Sequence, residues 1–490
     1  MTQTQASTTI DALSGVPRGL LIGGRWVEGE AGQEIAVTDP STEATVATVA
    51  AGSVADGLAA VAAAHDALPG WAGTPPRQRG EILRRAFELM TARAEELARI
   101  CVIENGKTLA DARAEVAYAA EFFRWYAEES VRLVGTVQRA PGGANRILTF
   151  RQPIGVSLLV TPWNFPLAMA SRKLGPALAA GCTVVLKPAS ETPLSALAIA
   201  RILEEAGVPA GTVNVISSRR SGAVVGAMLD DPRVRKLSFT GSTEVGRLLL
   251  ARAAQTVTGC AMELGGNAPF VVFDDADLEA AVDGAMIAKM RNGGEACTAA
   301  NRFYVQSGIA DDFTAALVAR MNALRIGSGL EPGVDLGPLV NAESRDKVAS
   351  LVAAAVDFGA RVATGGGRPD RTGFFYEPTV LADVRGNAPI LREEIFGPVA
   401  PVVTFRTEEE AVAAANDTEY GLVSYVYTRD LARGLRVGEA LDSGMIGLNR
   451  GVVSDPAAPF GGTKQSGLGR EGGHEGLLEF TEEKYVSTDW

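Results

Sequence analysis

A cysteine and a glutamate are the residues whose chemistry is most informative in this chain. Cys297 lies in the Gly-rich run Asn292–Thr298, and Glu263 precedes two further glycines. A thiol attacks a carbonyl carbon as the thiolate, or with a base nearby. The chain has only two histidines, and neither is near Cys297 in sequence. A carboxylate is therefore a better candidate than an imidazole for the proton acceptor.

Length and composition limit the class of protein. A chain of 490 residues is too long for one small core, so two or three domains are expected. The apolar fraction of 47% and the charged fraction of 21% are typical of a globular protein. The net charge of −12 argues against a nucleic-acid partner, which would require a basic surface.

The cysteines and the amino terminus indicate where the protein works. Cys101, Cys182, Cys260 and Cys297 are scattered, without a Cys-x-x-Cys pair, which favours a reducing compartment. Residues 1–20 are interpreted as a disordered leader rather than a signal peptide. No apolar run approaches the roughly 20 residues that span a bilayer. A cytoplasmic protein without a metal site is expected.

Short apolar runs alternate with helical segments and predict two α/β units. The residues from about 55 to 134 favour helices. The runs predicted to be strands of a parallel, doubly wound sheet are 155–160, 183–186, 213–216 and 236–239. Those predicted for a second series are 270–273, 302–305, 401–405 and 424–427. Ligands bind at the carboxyl ends of such strands.

The predicted domains follow from this alternation. A Rossmann-type cofactor-binding domain is assigned to 21–144 and 153–262, and an α/β catalytic domain to 263–446. The alternating pieces Arg146–Gln152 and Glu483–Asp489 fit neither sheet and are interpreted as strands that pair with each other or with another subunit. Residues 145–152 and 470–490 are therefore grouped as a small β unit outside both domains.

Each candidate site segment also has an ordinary structural interpretation. Thr240-Gly241-Ser242 would present a helix start to a phosphate, but taken alone it fits a simple helix cap slightly better. Lys187 ends a strand at the ligand-binding edge, although lone lysines are usually solvated. Glu263 could be an exposed loop carboxylate, and free cysteines are commonly buried and inert. The occurrence of Glu263 and Cys297 together beside glycines favours a site.

A literal Gly-x-Gly-x-x-Gly occurs at Gly467–Gly472. It follows no predicted strand, and too few residues remain to complete a βαβ unit. We therefore do not interpret it as a dinucleotide fingerprint.

Taken together, these segments resemble the aldehyde dehydrogenase superfamily. The resemblance covers the chain from about residue 21 to its end, and its motifs occur in the family's order. They are 161–166, 187–190, 239–242, 263–266, the segment around Cys297, 393–398 and 459–462. Within the superfamily, the segments 168–173 and 289–292 are most similar to those of succinate-semialdehyde dehydrogenases. The resemblance implies an aldehyde-dehydrogenase-like α/β fold.

The resemblance also assigns roles to individual residues. Cys297 would attack the aldehyde, the Asn164 side chain and the Cys297 N–H would hold the oxyanion, and Glu263 would activate the hydrolytic water. The residues that would line the cofactor site are Trp163, Asn164, Lys187, Pro188, Ala189, Ser190, Thr240, Gly241, Ser242, Leu264, Glu394 and Phe396.

The resemblance suggests which cofactor is preferred. NAD-preferring relatives often carry a glutamate where this chain has Ser190, and a glutamate would repel a 2′-phosphate. Ser190 leaves room for that phosphate and Lys187 supplies positive charge, so NADP is the predicted preference and NAD remains possible. Glu191 is the neighbouring carboxylate that could swing into this region.

For the substrate, the resemblance points to a small aldehyde with a carboxylate at its far end. Arg172 and Arg291 match positions that grip the carboxylate of succinate semialdehyde, and Ser454 matches a third contact. The ordinary alternative for either arginine is a structural salt bridge. Rival functions are a glutarate-semialdehyde or broad-range aldehyde dehydrogenase, a cysteine-dependent esterase or hydrolase without redox chemistry, and a non-catalytic protein on the same fold.

Three positions depart from the family pattern. Ala299 replaces a second cysteine that some relatives have, so no local disulfide can form. Glu295 stands where glutamine is frequent, and its carboxyl is expected to point away from Cys297, because a nearby negative charge would disfavour the thiolate. Arg450 either adds charge to the substrate mouth or faces solvent. The resemblance implies that the small β unit at 145–152 and 470–490 is the family's oligomerisation arm, so a homodimer or homotetramer is expected.

Overall fold

Strands and helices alternate along most of the chain, as the sequence predicted. The computed structural model describes residues 12–490. Within them, no helix is both long enough and apolar enough to cross a membrane. The elements before the first parallel strand are β1 (Leu20–Ile22), β2 (Arg25–Val27), β3 (Gln33–Asp39), β4 (Ala44–Ala51), α1 (Val54–Ala72), α2 (Pro76–Ala92), α3 (Ala94–Asn105), α4 (Leu109–Glu129), β5 (Thr136–Arg139) and β6 (Arg146–Pro153).

The remaining elements form the two alternating series and the carboxyl-terminal segment. The first series is β7 (Val156–Val160), α5 (Pro166–Ala180), β8 (Thr183–Lys187), α6 (Pro193–Ala206), β9 (Val213–Val215), α7 (Ser221–Leu229), β10 (Val234–Thr240), α8 (Thr243–Ala253) and β11 (Gly259–Glu263). The second is β12 (Ala268–Val272), α9 (Leu278–Met290), β13 (Ala300–Gln306), α10 (Ala310–Asn322), α11 (Ala342–Asp357), β14 (Arg361–Thr364), β15 (Thr379–Ala382), β16 (Val399–Phe405), α12 (Glu408–Asn416), β17 (Tyr420–Gly421), β18 (Val423–Tyr427), α13 (Leu431–Ala440) and β19 (Met445–Leu448). The closing segment contains β20 (Thr463–Lys464), β21 (Gly467–Leu468), α14 (Gly473–Leu478) and β22 (Thr481–Thr488).

The first sheet has the strand order β2-β1-β9-β8-β7-β10-β11-β21. Its five central strands are parallel, and the antiparallel strands β1 and β21 close its two sides. All five residues of β7 and of β8 are buried, as expected of a parallel sheet covered by helices on both faces. The predicted α/β fold with a Rossmann-type sheet is confirmed.

Helix α5 connects β7 to β8 and carries the candidate site residue Arg172. It begins at Pro166, whose fixed φ suits the first helical position, and it ends at Gly181, whose φ of 97° suits a left-handed cap. Every residue of α5 is buried, because the helix lies between the sheet and α4. Its charged side chains must therefore find partners inside the protein.

The second sheet has the order β14-β15-β16-β13-β12-β18-β19 and is parallel except for β14. Its core includes Phe270, whose ring stacks on that of Tyr427 at 4.9 Å between centroids. The second predicted series of strands is confirmed. Strand β11 of the first sheet is followed after four residues by β12 of the second, so the chain crosses between the sheets directly after Glu263.

A third, antiparallel sheet has the order β22-β6-β5. Strand β22 pairs with β6 over its whole length, from Thr481 opposite Pro153 to Thr488 opposite Arg146. The predicted pairing of these two pieces is confirmed. Large apolar side chains on this sheet are exposed, among them Val137 at 66% and Tyr485 at 57%. Its role as an oligomerisation arm stays a prediction.

Three placements differ from the predicted boundaries. The prediction of a disordered leader is wrong for residues 12–20, because the apolar side chains of Leu13 and Val16 are buried and β1 begins at Leu20. Residues 1–11 of the predicted leader lie outside the described part of the chain. Strand β5 joins the arm sheet rather than the cofactor unit. Strand β21 joins the first sheet, which short-range patterning could not show for a strand of two residues.

Deletion of residues 481–490 should lower the molecular mass of the assembly and its thermal midpoint. The deletion removes β22 and leaves the N–H and C=O groups along one edge of β6 without partners. Light scattering and a thermal melt would measure the two effects. Deletion of residues 489–490 alone leaves β22 intact and is the matched control. An unchanged mass in the longer deletion would contradict a role of the arm in assembly.

Candidate active site

Four neighbouring parallel strands end at one edge of the first sheet, and a predicted site segment follows each. The strands β7, β8, β10 and β11 end at Val160, Lys187, Thr240 and Glu263. Adjacent loops are tied together, because the Thr161 N–H donates to the Lys187 carbonyl at 3.2 Å and the Gly241 N–H donates to the Glu263 carbonyl at 3.1 Å. The sheet thus gathers the segments at the edge where such folds bind ligands.

The segment before Cys297 is held in an unusual backbone conformation. Asn292, Gly293 and Gly294 have successive φ values of 55°, 62° and 78°, in the left-handed region. The Asn292 side chain stabilises the turn by donating from Nδ2 to the Glu295 carbonyl at 3.0 Å and to the Asn164 carbonyl at 2.9 Å. This turn fixes Cys297 relative to the Asn164 loop.

Glycine lets the Glu263 segment approach the Cys297 segment closely. A Cβ atom at Gly266 would lie 2.2 Å from the Cys297 carbonyl oxygen, a distance that no side chain tolerates. The Gly266 N–H donates to Glu394 Oε1 at 2.9 Å. The structure therefore brings together three segments that are far apart in sequence: those of Glu263, Cys297 and Glu394.

Two hydrogen-bond donors border the space in front of Cys297. The buried Asn164 donates one Nδ2 hydrogen to the Glu295 carbonyl at 3.1 Å, and its amide carries a second hydrogen. Within residues 12–490, the Cys297 N–H has no hydrogen-bond acceptor. Asn164 and Cys297 line the same cavity. These are the two donors that the sequence analysis assigned to an oxyanion.

Glu263 is a buried carboxylate rather than an exposed one. It is 3% exposed, and neither carboxyl oxygen has a hydrogen-bond partner in the described part of the chain. Burial raises the pKa of Glu263 well above its usual value, the nearby Glu471 raises it further, and Arg172 opposes both. A desolvated carboxylate of this kind is suited to take a proton from water or from a thiol.

The electrostatic surroundings of Cys297 contain charges of both signs. Burial raises the pKa of the Cys297 thiol to about 12, and the carboxylates of Glu394 and Glu263 favour the neutral thiol. Arg172 and Arg291 act in the opposite direction and stabilise the thiolate. At neutral pH the group is therefore mainly a thiol, and its attack on a carbonyl requires a base.

A cavity of about 230 Å³ extends from Cys297 along the carboxyl edge of the sheet. The predicted cofactor residues that line it are Trp163, Asn164, Thr240, Gly241, Ser242, Leu264, Glu394 and Phe396. Ser344 and Lys347 of α11 also line it, and the sequence analysis missed them. The Trp163 and Phe396 rings meet edge to face at 5.4 Å between centroids.

The residues around this cavity fit a dinucleotide. Ser242 caps α8, since its hydroxyl accepts from the Val245 N–H at 3.3 Å, so the helix-cap interpretation is confirmed. The same helix start borders the cavity, where its positive end suits a phosphate. The buried Thr240 hydroxyl has no partner in residues 12–490 and is available to a ligand.

The segment Lys187–Ser190 follows β8 at the same edge but lies outside the 230 Å³ cavity. Burial lowers the pKa of Lys187 to about 8, and Glu191 opposes this shift. Lys187 is 5% exposed, and its Nζ makes no hydrogen bond or ion pair within the described residues, so its role in binding a ligand stays a prediction. The Ser190 hydroxyl donates to Glu191 Oε2 at 3.2 Å.

Arg172 is held firmly behind Cys297. Its guanidinium lies 4.1 Å from the centre of the Phe460 ring, 3.5 Å from Glu471 Oε2, and in hydrogen-bond contact with the Tyr118 hydroxyl. The side chain is 2% exposed, and its Nε has no partner in residues 12–490. Arg172 thus forms a structural ion pair and keeps one buried donor without a partner in this part of the chain, and its contact with a substrate stays a prediction.

Arg291 has a different environment. Its guanidinium lies over the Phe165 ring at 5.1 Å, and it makes no hydrogen bond or ion pair within the described chain. The carboxylate of Asp111 interacts with it electrostatically, without an ion pair between the two side chains. A partly exposed guanidinium beside Cys297 can bind an anionic ligand. Ser454 is half-buried in the loop between β19 and β20, and its hydroxyl has no hydrogen bond there. Its contact with a substrate stays a prediction.

The departures from the family pattern are explained by local contacts. Glu295 is buried and accepts from the Val340 N–H at 3.1 Å, so its carboxyl is engaged with that loop, as expected, and burial raises its pKa to about 8. Arg450 is exposed and donates to the Val452 carbonyl at 3.4 Å. Its guanidinium therefore interacts with its own loop.

The sequence analysis also missed the charged partners behind Glu263. Lys173 is 1% exposed and donates to the Ser238 hydroxyl at 2.9 Å and to Glu471. Glu471 belongs to the Gly467–Gly472 stretch that was not interpreted as a dinucleotide fingerprint. Gly467 pairs with Glu263 across β21 and β11, so this stretch covers the Glu263 strand. The glycines of Gly467–Gly472 were the sequence signal that could have indicated this stretch.

The fold and this arrangement match a known family. The model of the aldehyde dehydrogenase family matches residues 26–486, and the chain belongs to this family. It is 56% identical to a succinate-semialdehyde dehydrogenase of Paenarthrobacter nicotinovorans, over 90% of this chain and 98% of that protein. It is 50% identical to a glutarate-semialdehyde dehydrogenase of Pseudomonas aeruginosa, over 95% and 96%. A crystal structure of an NADP-dependent enzyme of Escherichia coli superposes with a TM-score of 0.96 at 48% identity, covering 97% of this chain and 98% of that one.

The rate at which iodoacetamide alkylates Cys297 should rise steeply with pH. Because the pKa of the thiol is raised to about 12, the thiolate fraction grows about tenfold for each pH unit between 7 and 9. Stopped incubations followed by peptide mass spectrometry would measure the rate at Cys297. Cys260, which is also partly exposed and lies outside the cavity, provides the internal control. A rate at Cys297 that is already constant at pH 7 would contradict the raised pKa.

Proposed function

We propose that the protein oxidises a small ω-carboxy aldehyde to the acid with NAD(P)+, and that succinate semialdehyde is its main substrate. The observation that carries this proposal is the unpaired guanidinium of Arg291, which joins Arg172 beside Cys297. Two guanidinium groups suit the far carboxylate of such a substrate. The succinate- and glutarate-semialdehyde dehydrogenases among the relatives support this substrate class.

The first half of the proposed reaction forms a bond between Cys297 and the aldehyde. Glu263 accepts the thiol proton, and the Cys297 sulfur attacks the carbonyl carbon to give a thiohemiacetal oxyanion. The second Nδ2 hydrogen of Asn164 and the Cys297 N–H donate to that oxyanion. Arg172 and Arg291 favour both the thiolate and the bound substrate carboxylate.

The second half releases the acid. A bound NAD(P)+ would supply the oxidising power as hydride acceptor, so that the acyl group would remain on Cys297 as a thioester. Glu263 releases the thiol proton to solvent before the second half, and its carboxylate then takes a proton from water as the water oxygen attacks the thioester carbon. The Cys297 sulfur leaves as the thiolate and takes up that proton from Glu263. The burial of Glu263 supports its role as the base in both halves.

We further propose that NADP is preferred over NAD. The residues that would hold the cofactor are those lining the cavity, with Lys187 and Ser190 near the adenosine ribose. Lys187 is buried without an acceptor in the described residues, and a 2′-phosphate would provide one. Glu191 is drawn to Ser190 and opposes this preference. The similarity to an NADP-dependent enzyme of Escherichia coli supports NADP.

We also propose that the protein works as a homodimer or homotetramer in the cytoplasm. The exposed apolar side chains of the arm sheet support a self-association surface. Cys101, Cys182, Cys260 and Cys297 are all unpaired, which supports a reducing compartment.

Replacement of Arg291 with alanine should reduce kcat/KM for succinate semialdehyde by about 100-fold, because a charge-assisted, bidentate contact is lost. Oxidation of butanal should change less than about threefold. Cofactor reduction followed at 340 nm measures both and excludes a hydrolase without redox chemistry. Arg450→Ala removes an exposed arginine that binds its own loop, and it is the matched control.

Glutarate semialdehyde belongs in the same panel, because one relative is named for it. If kcat/KM is higher for glutarate semialdehyde than for succinate semialdehyde, glutarate semialdehyde is the main substrate. If Arg291→Ala lowers kcat/KM equally for succinate semialdehyde and for butanal, the proposal that Arg291 binds the substrate carboxylate is contradicted.

Replacement of Ser190 with glutamate should shift the cofactor preference towards NAD. A carboxylate at this position would repel the 2′-phosphate, so kcat/KM for NADP should fall by about 10- to 100-fold while that for NAD is kept. Steady-state kinetics with both cofactors measure the ratio, and Ser190→Ala is the neutral control. A tenfold preference for NAD in the unmodified protein would contradict the proposal.

A further inference from the structure

A buried turn outside the cavity is bonded to the backbone of the Asn164 loop. This turn, which we call the anchor turn, consists of Asn105, Gly106 and Lys107 and connects α3 to α4. Asn105 Nδ2 donates to the Trp163 carbonyl at 3.0 Å, and Lys107 Nζ donates to the Asn164 carbonyl at 2.8 Å. Two successive carbonyl groups of the loop are therefore fixed from one side.

Lys107 is itself held in place. Its ammonium group lies 2.5 Å from Glu115 Oε2 and 4.3 Å from the centre of the Phe165 ring. Lys107 and Glu115 are 4% and 3% exposed, so water does not compete for their charges. A buried ion pair with these additional hydrogen bonds has little freedom to move.

Glu115 extends the same contact to α5. Its Oε1 accepts from the Leu167 N–H at 2.8 Å and from the Ala168 N–H at 3.2 Å. The residue before α5, Phe165, provides no side-chain cap, so Glu115 supplies the acceptor for the first turn. The helix fixed in this way carries Arg172.

The anchor turn cannot easily shift. Gly106 has a φ of 92°, and a Cβ atom there would lie 2.9 Å from Pro338 Cγ and 3.1 Å from Pro40 Cβ. Only glycine fits this conformation and this space. Lys107 therefore extends from a rigid base.

We propose that Lys107 is a positioning residue that sets the Asn164 amide at the distance an oxyanion requires, and that Glu115 fixes Lys107 for this purpose. The inference rests on the proposed role of Asn164 as an oxyanion donor. Lys107 acts through the backbone of the Asn164 loop and does not touch the substrate. Displacement of a donor by about 1 Å is enough to slow such a reaction about 100-fold.

The test is a double-mutant cycle in single-turnover kinetics. The variant Lys107→Met/Glu115→Gln removes both charges together and keeps an acceptor for the α5 N–H groups, which favours correct folding. Cofactor reduction should slow about 30- to 100-fold with succinate semialdehyde and equally with butanal, while the KM for NADP stays within about twofold. In an Asn164→Ala background, the same two substitutions should slow the reaction less than about threefold.

Each of the other outcomes of the double-mutant cycle contradicts a specific part of the proposal. A further 30-fold loss in the Asn164→Ala background, or a rate unchanged by the two substitutions, means that Lys107 does not act through Asn164, and overturns the positioning role alone. An Asn164→Ala protein as fast as the unmodified one overturns the oxyanion role in the proposed function, and the inference with it. The control is Lys236→Met/Glu479→Gln, a largely buried pair at 2.6 Å that does not contact the Asn164 loop, and its rate should stay within about twofold.

Discussion

The close approach of Gly266 to the carbonyl of Cys297 is the contact on which the site depends. Glu263 ends a strand of the first sheet, whereas Cys297 precedes a strand of the second. The two loops meet only because no side chain stands between them; a Cβ atom would lie 2.2 Å from the carbonyl oxygen. The relative position of base and nucleophile is therefore set by backbone packing between the sheets, rather than by a hydrogen bond between the two side chains.

The charges around this contact oppose one another. Glu263 and Glu394 raise the pKa of Cys297, and the two neighbouring arginines lower it. Burial in turn raises the pKa of Glu263, so the base and the thiol both favour their protonated forms. The site thus keeps Cys297 unreactive until a proton acceptor is ionised beside it.

The sequence was sufficient for the strands and for most of the site, for a physical reason. Buried parallel strands are continuous apolar runs, and ligand segments follow them, so Lys187 and Thr240 could be placed from local pattern alone. The strand that ends at Glu263 was not predicted, and Glu263 was singled out by its glycines and by Cys297 instead. The partners that complete the site could not be found in this way. Lys107 and Glu471 contact it from helices and loops far away in sequence, and no local pattern distinguishes a buried charged residue from a solvated one. Leu13 and Val16 were missed because two apolar residues do not form a pattern.

The carboxyl-terminal segment has a consequence for the order of events in the cell. Strand β21 covers the Glu263 strand, and Glu471 neutralises Arg172 and Lys173 inside the protein. Glu263, Arg172 and Lys173, the three residues that this segment covers or neutralises, are synthesised long before it. The segment that completes the surroundings of Glu263 is therefore added after all the residues that it covers or neutralises. These residues can reach their final environment only once residue 471 has been joined to the chain.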